Sequence, residues 1–493
     1  MIISLHSMRR GWPLMPESGS KQPKIKASLT NLLLTTASVP LGLRFVDSLN
    51  EMRRAQWLSE GELQARNQAR LVGLLKHAAE NVPFYQNLAL DPEQLRASDL
   101  QAFPVFTKTD YRKYEPEALY ATNVEPALRI ERKTSGSTGQ PFQFSLDRRA
   151  LPVIFASHLF YDSWHGLEPF DRYLRIVAPA AAPAQLPSGA RAGVRLKGMV
   201  TSRLQGLYEK LTQEKIFFWE IDSQKAAEVW RRLEAFRPKF VMGYTSSLAA
   251  LADELLQSNL RLSHPIRGVI AIAETLTPNR RKLIEEYFQA PIINRYGLRE
   301  FGSWSAQSCK ESPDQFHINT ELVVCEILRD DGTPCATGET GRVVLTDLHN
   351  FARPFIRYDT GDLAVAAAGK CSCGRGFPLL GRIEGRSLEC LRTPSGAEIS
   401  PATLGHFLFV YHDHGDAVRQ YQLVQEAPTR ASLLIIPGAG WDEQRRIRLR
   451  SDLMSLIGAD VEVDVKTVSD IPAEKSGKRP IIKRVELSAP SQD

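Results

Sequence analysis

Residues 226–297 read as six segments: AAEVWRRLEAF (226–236), KFVMGY (239–244), SSLAALADELLQSN (246–259), RGVIAIAE (267–274), TPNRRKLIEEYFQ (277–289) and PIINRYG (291–297). The first, third and fifth carry apolar residues at helical spacing, and the others are short, apolar, strand-like runs. Ser246 or Ser247 is the expected cap of the second helix, and Pro278 falls in the first turn of the third, where a missing N–H is harmless. Strands separated by helices of ten to fifteen residues need crossover connections, and so a mostly parallel sheet with flanking helices. The last strand ends at Tyr296-Gly297, so ligands are expected beyond its carboxyl end.

Upstream, residues 51–85 read as a helix in which Leu63, Ala69, Val72, Leu75 and Ala79 recur, with Pro83 stopping it. Downstream of about Arg386 the character changes. RQYQLVQ and ASLLIIPG read as paired strands, EQRRIRLRSDLMSLIG as an amphipathic helix and VEVDVKTV as an alternating strand. That ββαβ order implies a small α+β domain. The expected organisation is a basic, partly disordered extension (1–50), a large α/β domain (51–386), a small α+β domain (387–487) and a disordered tail (488–493).

A chain of 493 residues exceeds what one hydrophobic core supports. Its 43% hydrophobic and 24% charged residues exclude collagen-like, disordered and disulfide-dense classes. No apolar run reaches eighteen residues, so no transmembrane segment is expected. The stretch 32–43 is broken by Thr35, Thr36, Ser38 and Pro40 and follows a polar lead, the wrong layout for a secretion signal. A cytoplasmic protein is therefore expected. Of the net charge of +6, four units arise in residues 1–30, from Arg9, Arg10, Lys21, Lys24 and Lys26 against Glu17. The rest is nearly balanced, and no nucleic-acid partner is expected. All six cysteines lie between 309 and 390, which suits a metal site in a reducing compartment better than a disulfide framework.

Four motifs carry chemistry. Residues 133–141, KTSGSTGQP, link two alternating strands, and their glycines and hydroxyls can wrap a polyphosphate or form a plain hairpin loop. NRYGLREFG (294–302) offers an aromatic ring, a glycine and a carboxylate at a strand end, suited to a purine and a metal ion or to an ordinary turn. FIRYDTGD (355–362) offers Asp362 to a ribose diol, or is a simple β-turn. AEKSGKRP (473–480) is either a solvated basic face or a mobile segment that delivers an ammonium to a phosphate.

Together with ENVPFYQ, FPVFTKTDYR, GYTSSL, AETL, GETGRVVLTDL, CSCGR and GRIEGR, these motifs occur in an order that resembles the adenylate-forming enzymes. Within them the chain is similar to the phenylacetate–CoA ligase group and its capsular-polysaccharide-associated branch. The resemblance implies a large domain and a small mobile one. It implies ATP-dependent activation of a small carboxylic acid to an acyl-adenylate, followed by acyl transfer to coenzyme A. In that reading Thr134, Ser135, Gly136, Ser137, Thr138 and Gly139 hold the ATP phosphates. Ala273, Glu274, Thr275, Tyr296 and Gly297 line the adenine. Glu300 binds magnesium, Asp362 takes the ribose hydroxyls, Arg386 reaches the same nucleotide and Lys478 is the catalytic lysine. Trp164 and Tyr244 are candidates for the acyl pocket.

Three departures from the family pattern bear on the acceptor. Ser387-Leu388-Glu389 stands where paired aspartates are frequent, Arg299 where threonine is common near the α-phosphate, and Gln140 where lysine is frequent. Arg299 is therefore a further catalytic candidate. An adenylyltransferase and a non-catalytic nucleotide binder remain as alternatives, and the oligomeric state stays open, a homodimer included. Cys309, His317, Cys371 and Cys373 form a Cys₃His set that suits closed, structural zinc. The resembled group carries a similar Cys…His…CxC arrangement. His412-Asp-His414 reads as a surface loop.

Overall fold

The computed structural model describes residues 45–133, 142–168, 170–177, 212–217, 221–386, 389–394, 398–412, 414, 417–458, 460–472, 474 and 479–485. Strands β1 (Arg129–Lys133) and β2 (Gln143–Asp147) pair antiparallel and flank the serine- and glycine-rich segment in sequence, as expected. The main sheet then runs through β3 (Tyr173–Val177), β4 (Gln213–Phe217), β5 (Phe240–Tyr244), β6 (Gly268–Ile272) and β7 (Ile292–Gly297). It continues through β8 (Trp304–Gln307), β9 (Phe316–Ile318), β10 (Val323–Leu328), β11 (Thr340–Asp347), β12 (Tyr358–Ala366) and β13 (Leu379–Arg386). Among the described residues the spatial order is β10-β11-β12-β13-β9-β8-β7-β6-β5-β3-β4.

The half from β7 to β4 is parallel throughout, as the alternating helices and strands require. The half from β7 to β10 is antiparallel. No regular helix separates its strands in the chain, and loops alone return each strand beside its partner in the opposite direction. The sheet is therefore mixed, with the expected parallel part as one half.

Side chains of the parallel half alternate between two cores. Val241, Val269 and Ile292 pack under the helices Ser223–Phe236, Thr245–Gln257 and Pro278–Phe288. Phe240, Met242, Ile270 and Ile293 face the other way. The Thr245–Gln257 helix is nearly enclosed, and each of Leu248, Leu251 and Leu255 contributes about 1.5–3 kcal/mol by its burial.

Three local expectations change. The single helix over 51–85 is two, Phe45–Ala55 and Glu60–Asn81. Ser59 caps the second through a reciprocal box with Glu62, an S-x-x-E signal visible in the sequence. Pro83 opens a further turn, Pro83–Gln86, at its tolerated first position. Residues 45–50, assigned to the extension, belong to the large domain, because Leu49 joins Met52 and Ala55 in its core. The rest of the extension and the tail lie outside the described residues.

The small domain begins with the short pair β14 (Leu391–Arg392) and β15 (Glu398–Ile399). Its sheet combines β16 (Val418–Ala427), β17 (Arg430–Pro437), β18 (Glu462–Thr467) and β19 (Ile482–Arg484), in the order β18-β17-β16-β19. The first three and the helix Glu443–Ile457 reproduce the expected ββαβ order, and Leu449, Leu453 and Ile457 fix that helix to a separate core. The final strand β19 follows the basic AEKSGKRP segment and pairs parallel to β16. His414 is not on a surface loop. It is fully buried and shares the Asp452 carboxylate, 2.9 Å away, with His412 at 3.3 Å. Among the described residues no helix is long and apolar enough to cross a membrane.

Candidate active site

The carboxyl ends of β5, β6 and β7 form an edge that three sequence motifs share. At the end of β6, Ala273 adopts a left-handed φ of 65°, uncommon for a residue with a Cβ, and turns the chain outward. Glu274 then points at the start of the Thr245–Gln257 helix, where its Oε2 accepts the Ser246 N–H at 2.7 Å. The expected serine cap is thus replaced by a carboxylate 28 residues away, placed where the helix dipole favours negative charge. At the end of β7, Gly297 admits the neighbouring chain so closely that a Cβ would lie 2.7 Å from the Ser303 carbonyl oxygen. That approach is what brings Trp304 against the strand end.

Tyr296, Asp362 and Arg386 converge. The Tyr296 hydroxyl donates to Asp362 Oδ2 at 2.8 Å, and Arg386 Nε lies 3.5 Å from Oδ1. The pairing of β12 with β13 sets Asp362 directly opposite Arg386. Burial, then the nearby carboxylate, push the Tyr296 phenol well above its ordinary range, so it stays a donor.

Glu300 is buried one turn beyond β7, where its Oε1 accepts from Tyr358 at 3.0 Å and pairs with Lys108 Nζ at 2.8 Å. Arg299 beside it is exposed. Lys108 was not among the expected site residues, and its signal was only its place in the FPVFTKTDYR motif. Arg280 was missed as well. It donates from Nη1 to the Thr275 carbonyl at 3.4 Å and from Nη2 to the Arg479 carbonyl at 2.7 Å. The residue that follows Lys478 is thereby tied to the loop that follows β6. Lys478 itself and residues 134–139 lie outside the described residues.

The small domain rests on this side of the large one. Arg419 Nη2 pairs with Asp253 Oδ2 at 2.9 Å, and Gly405 lies against Thr277. At the junction, the Glu384 carboxylate accepts from Ser400 and from Thr403 Oγ1, the latter at 3.2 Å.

Cys309, His317, Cys371 and Cys373 come together, with all four ligand atoms within 4.8 Å of one another. Cys309 follows β8, His317 lies in β9 opposite Leu379 of β13, and the two remaining cysteines lie in the turn before β13. The Cys309 and Cys371 sulfurs are 3.5 Å apart, and Cys373 Sγ is 3.5 Å from His317 Nε2. Sulfurs bound at ~2.3 Å to one tetrahedral ion lie about 3.8 Å apart, so donor set and spacing fit zinc. Burial pushes the His317 imidazole down to about 4, which keeps it neutral as a ligand must be. Trp164 belongs to this group. Its ring meets His317 edge-on at 5.4 Å and Arg375 covers it at 4.1 Å, whereas Tyr244 packs with Trp304. The two aromatic residues expected to share an acyl pocket are thus placed in different clusters.

Residues 391–485 match the model of the CapK C-terminal domain. The chain is 32% identical over 363 residues to phenylacetate–coenzyme A ligase from Escherichia coli K12, covering 70% of this chain and 76% of that enzyme. It is 28% identical over 384 residues to phenylacetate–coenzyme A ligase from Thermus thermophilus, covering 74% and 79%. The fold is similar to that of 2-hydroxyisobutyryl-CoA ligase in the postadenylation state in complex with R3-HIB-AMP. The TM-score is 0.69 at 20% identity, over 87% of this chain and 91% of that one.

Proposed function

The chain belongs to the phenylacetate–coenzyme A ligase family, and on that premise we propose that its site activates a carboxylic acid with ATP and passes the acyl group to coenzyme A. In the first step an oxygen of the acid attacks the α-phosphorus, the bond to the β-phosphate breaks, and pyrophosphate leaves with the electron pair. In the second the coenzyme A thiolate attacks the acyl carbonyl and AMP departs. A cytoplasmic setting goes with this reading, since both ATP and coenzyme A are needed. The CapK-type small domain is compatible with a role in surface-polysaccharide synthesis.

The observation that carries the reading is the convergence of Tyr296, Asp362 and Arg386 at the strand edge. A buried carboxylate held by a phenol and a guanidinium is organised to accept hydrogen bonds from a ribose diol, with the Tyr296 ring available to the base. Residues 134–139 hold the phosphates, and Ala273, Glu274, Thr275 and Gly297 border the adenine. Glu300 is the proposed magnesium ligand; the ion, when bound with ATP, supplies positive charge against the departing pyrophosphate. Lys108 balances that carboxylate in the free protein. Lys478 meets the charge developing at the α-phosphate, and the Arg280 bond to Arg479 supports its delivery to the β6 loop. Zinc bound by the Cys₃His group cross-links the loop after β8 to the turn before β13 and leaves no open position for substrate.

Carboxylate-dependent exchange of labelled pyrophosphate into ATP tests the reading. Lys478→Ala is expected to lower exchange by about 10²–10³-fold while ATP still binds. Exchange unaffected by that substitution removes the lysine from the mechanism. A stable AMP-modified product in place of a thioester identifies an adenylyltransferase instead.

A further inference from the structure

The paired strands β1 and β2 are fastened to the large domain by side chains that the ligase reading leaves unused. Lys133, the last residue of β1, pairs with Gln143, the first of β2, so this pair flanks residues 134–142 in sequence. From the loop after β11, Asn350 donates through Nδ2 to the Ser145 carbonyl at 2.8 Å. Arg353 of the same loop donates through Nη1 to the Gln143 carbonyl at 2.9 Å. The Arg353 backbone N–H returns to Asn350 Oδ1 at 3.3 Å and joins the two contacts.

Arg353 is 4% exposed, and its Nε is buried without a hydrogen-bond partner among the described residues. Its guanidinium lies over the rings of Tyr111, Tyr120, Phe142 and Phe355 at 5.5–5.9 Å, near the outer limit of a cation–π contact. Among the described residues no carboxylate pairs with it. The Tyr120 ring is shared with the Arg129 guanidinium at 4.3 Å, and the Tyr120 hydroxyl reaches the exposed Glu131 at 3.3 Å. Two cations against one carboxylate leave a positive charge over in this group. Asn350 shows that a neutral amide is enough to fasten β2. A buried cation costs more than a buried neutral donor, so the charge on Arg353 answers to something beyond the tie. Its complement is an anion, and a guanidinium suits phosphate oxygens.

We propose that Arg353 is a positioning residue for the ATP phosphates, acting through the Lys133–Gln143 pair and through a charge that no carboxylate claims. The inference rests on the ligase reading and adds to it a way of telling the triphosphate from a monophosphate. ATP brings the larger negative charge and is held. AMP, the product, lacks the β- and γ-phosphates and is released.

Calorimetric binding of a non-hydrolysable ATP analogue and of AMP, each with magnesium, separates the charge from the tie. Arg353→Met removes both, Arg353→Gln keeps a donor for the Gln143 carbonyl, and Arg353→Lys keeps the charge. The Met and Gln variants are expected to bind the ATP analogue about 10-fold more weakly, and AMP within about 2-fold of the unaltered chain. Arg353→Lys should restore most of the difference. The KM for ATP in pyrophosphate exchange should follow the binding while kcat holds. An equal loss for both nucleotides, no loss for either, or a Lys variant as weak as Met overturns the inference and leaves the ligase standing. A loss in Met that Gln repairs overturns it too, since the tie alone would then matter. Should Arg353→Met not fold, the Gln and Lys variants carry the same test. Absence of exchange with every acid, with the ATP preference still lost in Arg353→Gln, overturns the ligase reading and keeps Arg353 as a phosphate residue.

Discussion

The nucleotide edge and the Cys/His group draw on the same strands, β7 to β13, yet they treat charge in opposite ways. At the edge two carboxylates already have a counter-charge: Glu300 faces Lys108, and Asp362 faces Arg386. Those cations sit on long side chains that can turn aside, and the tyrosine hydroxyls hold the acids in place meanwhile. Among the described residues the Cys/His group has no such partner. Its sulfurs face one another at 3.5 Å, and the nearby Arg375 is spent on the Trp164 ring. A site for a ligand that comes and goes is balanced beforehand by groups that can yield, whereas a site for a resident ion leaves the balancing to the ion.

Glu300→Gln probes that contrast with the largest expected effect. Gln keeps an acceptor for Tyr358 but not the charge, and Lys108, about a third exposed, can turn to water. Exchange should fall by about 10²-fold or more, with Tm nearly unchanged. A large fall in Tm with exchange preserved would make Glu300 structural, the role proposed for the cysteines, and end the contrast. Cys309→Ser, or stripping the metal with a chelator, should do the reverse. Tm is expected to fall by roughly 5–10 °C, the counterpart of ~2–4 kcal/mol in a domain of this size. Exchange per folded molecule should stay within a few-fold, and metal analysis of the unaltered chain should find about one zinc per chain.

Asp362→Asn is expected to act more gently, and on binding. It leaves Arg386 without its carboxylate and offers the ribose a weaker acceptor, for a loss of about 1–2 kcal/mol. The KM for ATP should rise ~10-fold while kcat moves less, and a change confined to kcat would detach Asp362 from the ribose.

What the sequence conveyed follows the range of the interactions involved. The strands β5, β6 and β7 and the helices between them are local periodic patterns, and they formed where the period placed them. The antiparallel half was underread because its strands are short and follow one another without helices, so that no period announces them. The broken first helix had a local signal in Ser59 and Glu62, which was present and unused. The cap of the Thr245–Gln257 helix had none, because its carboxylate arrives from Glu274 on another strand end. Motif order identified Tyr296, Asp362, Arg386 and the Cys₃His residues, and the sheet register brought them together. Lys108 and Arg280 act through partners far away in sequence, and only folding pairs them.

Arg280 gives the smallest expected effect and the sharpest one. Two bonds join it to the Thr275 and Arg479 carbonyls, so a single side chain bridges the β6 loop of the large domain and the residue after Lys478. It resembles Lys108 in being a cation placed to let go. If the small domain rotates between the half-reactions, the bond to Arg479 exists only in the first. Bonds of this kind on a half-buried arginine contribute about 1 kcal/mol each, so Arg280→Ala should slow pyrophosphate exchange roughly 3- to 10-fold through kcat. Thiol transfer from a supplied acyl-adenylate should keep its rate. Equal slowing of both half-reactions would mean that Arg280 merely steadies the loop. Faster thiol transfer with slower exchange would show that the bond holds the adenylating arrangement against the one that follows it.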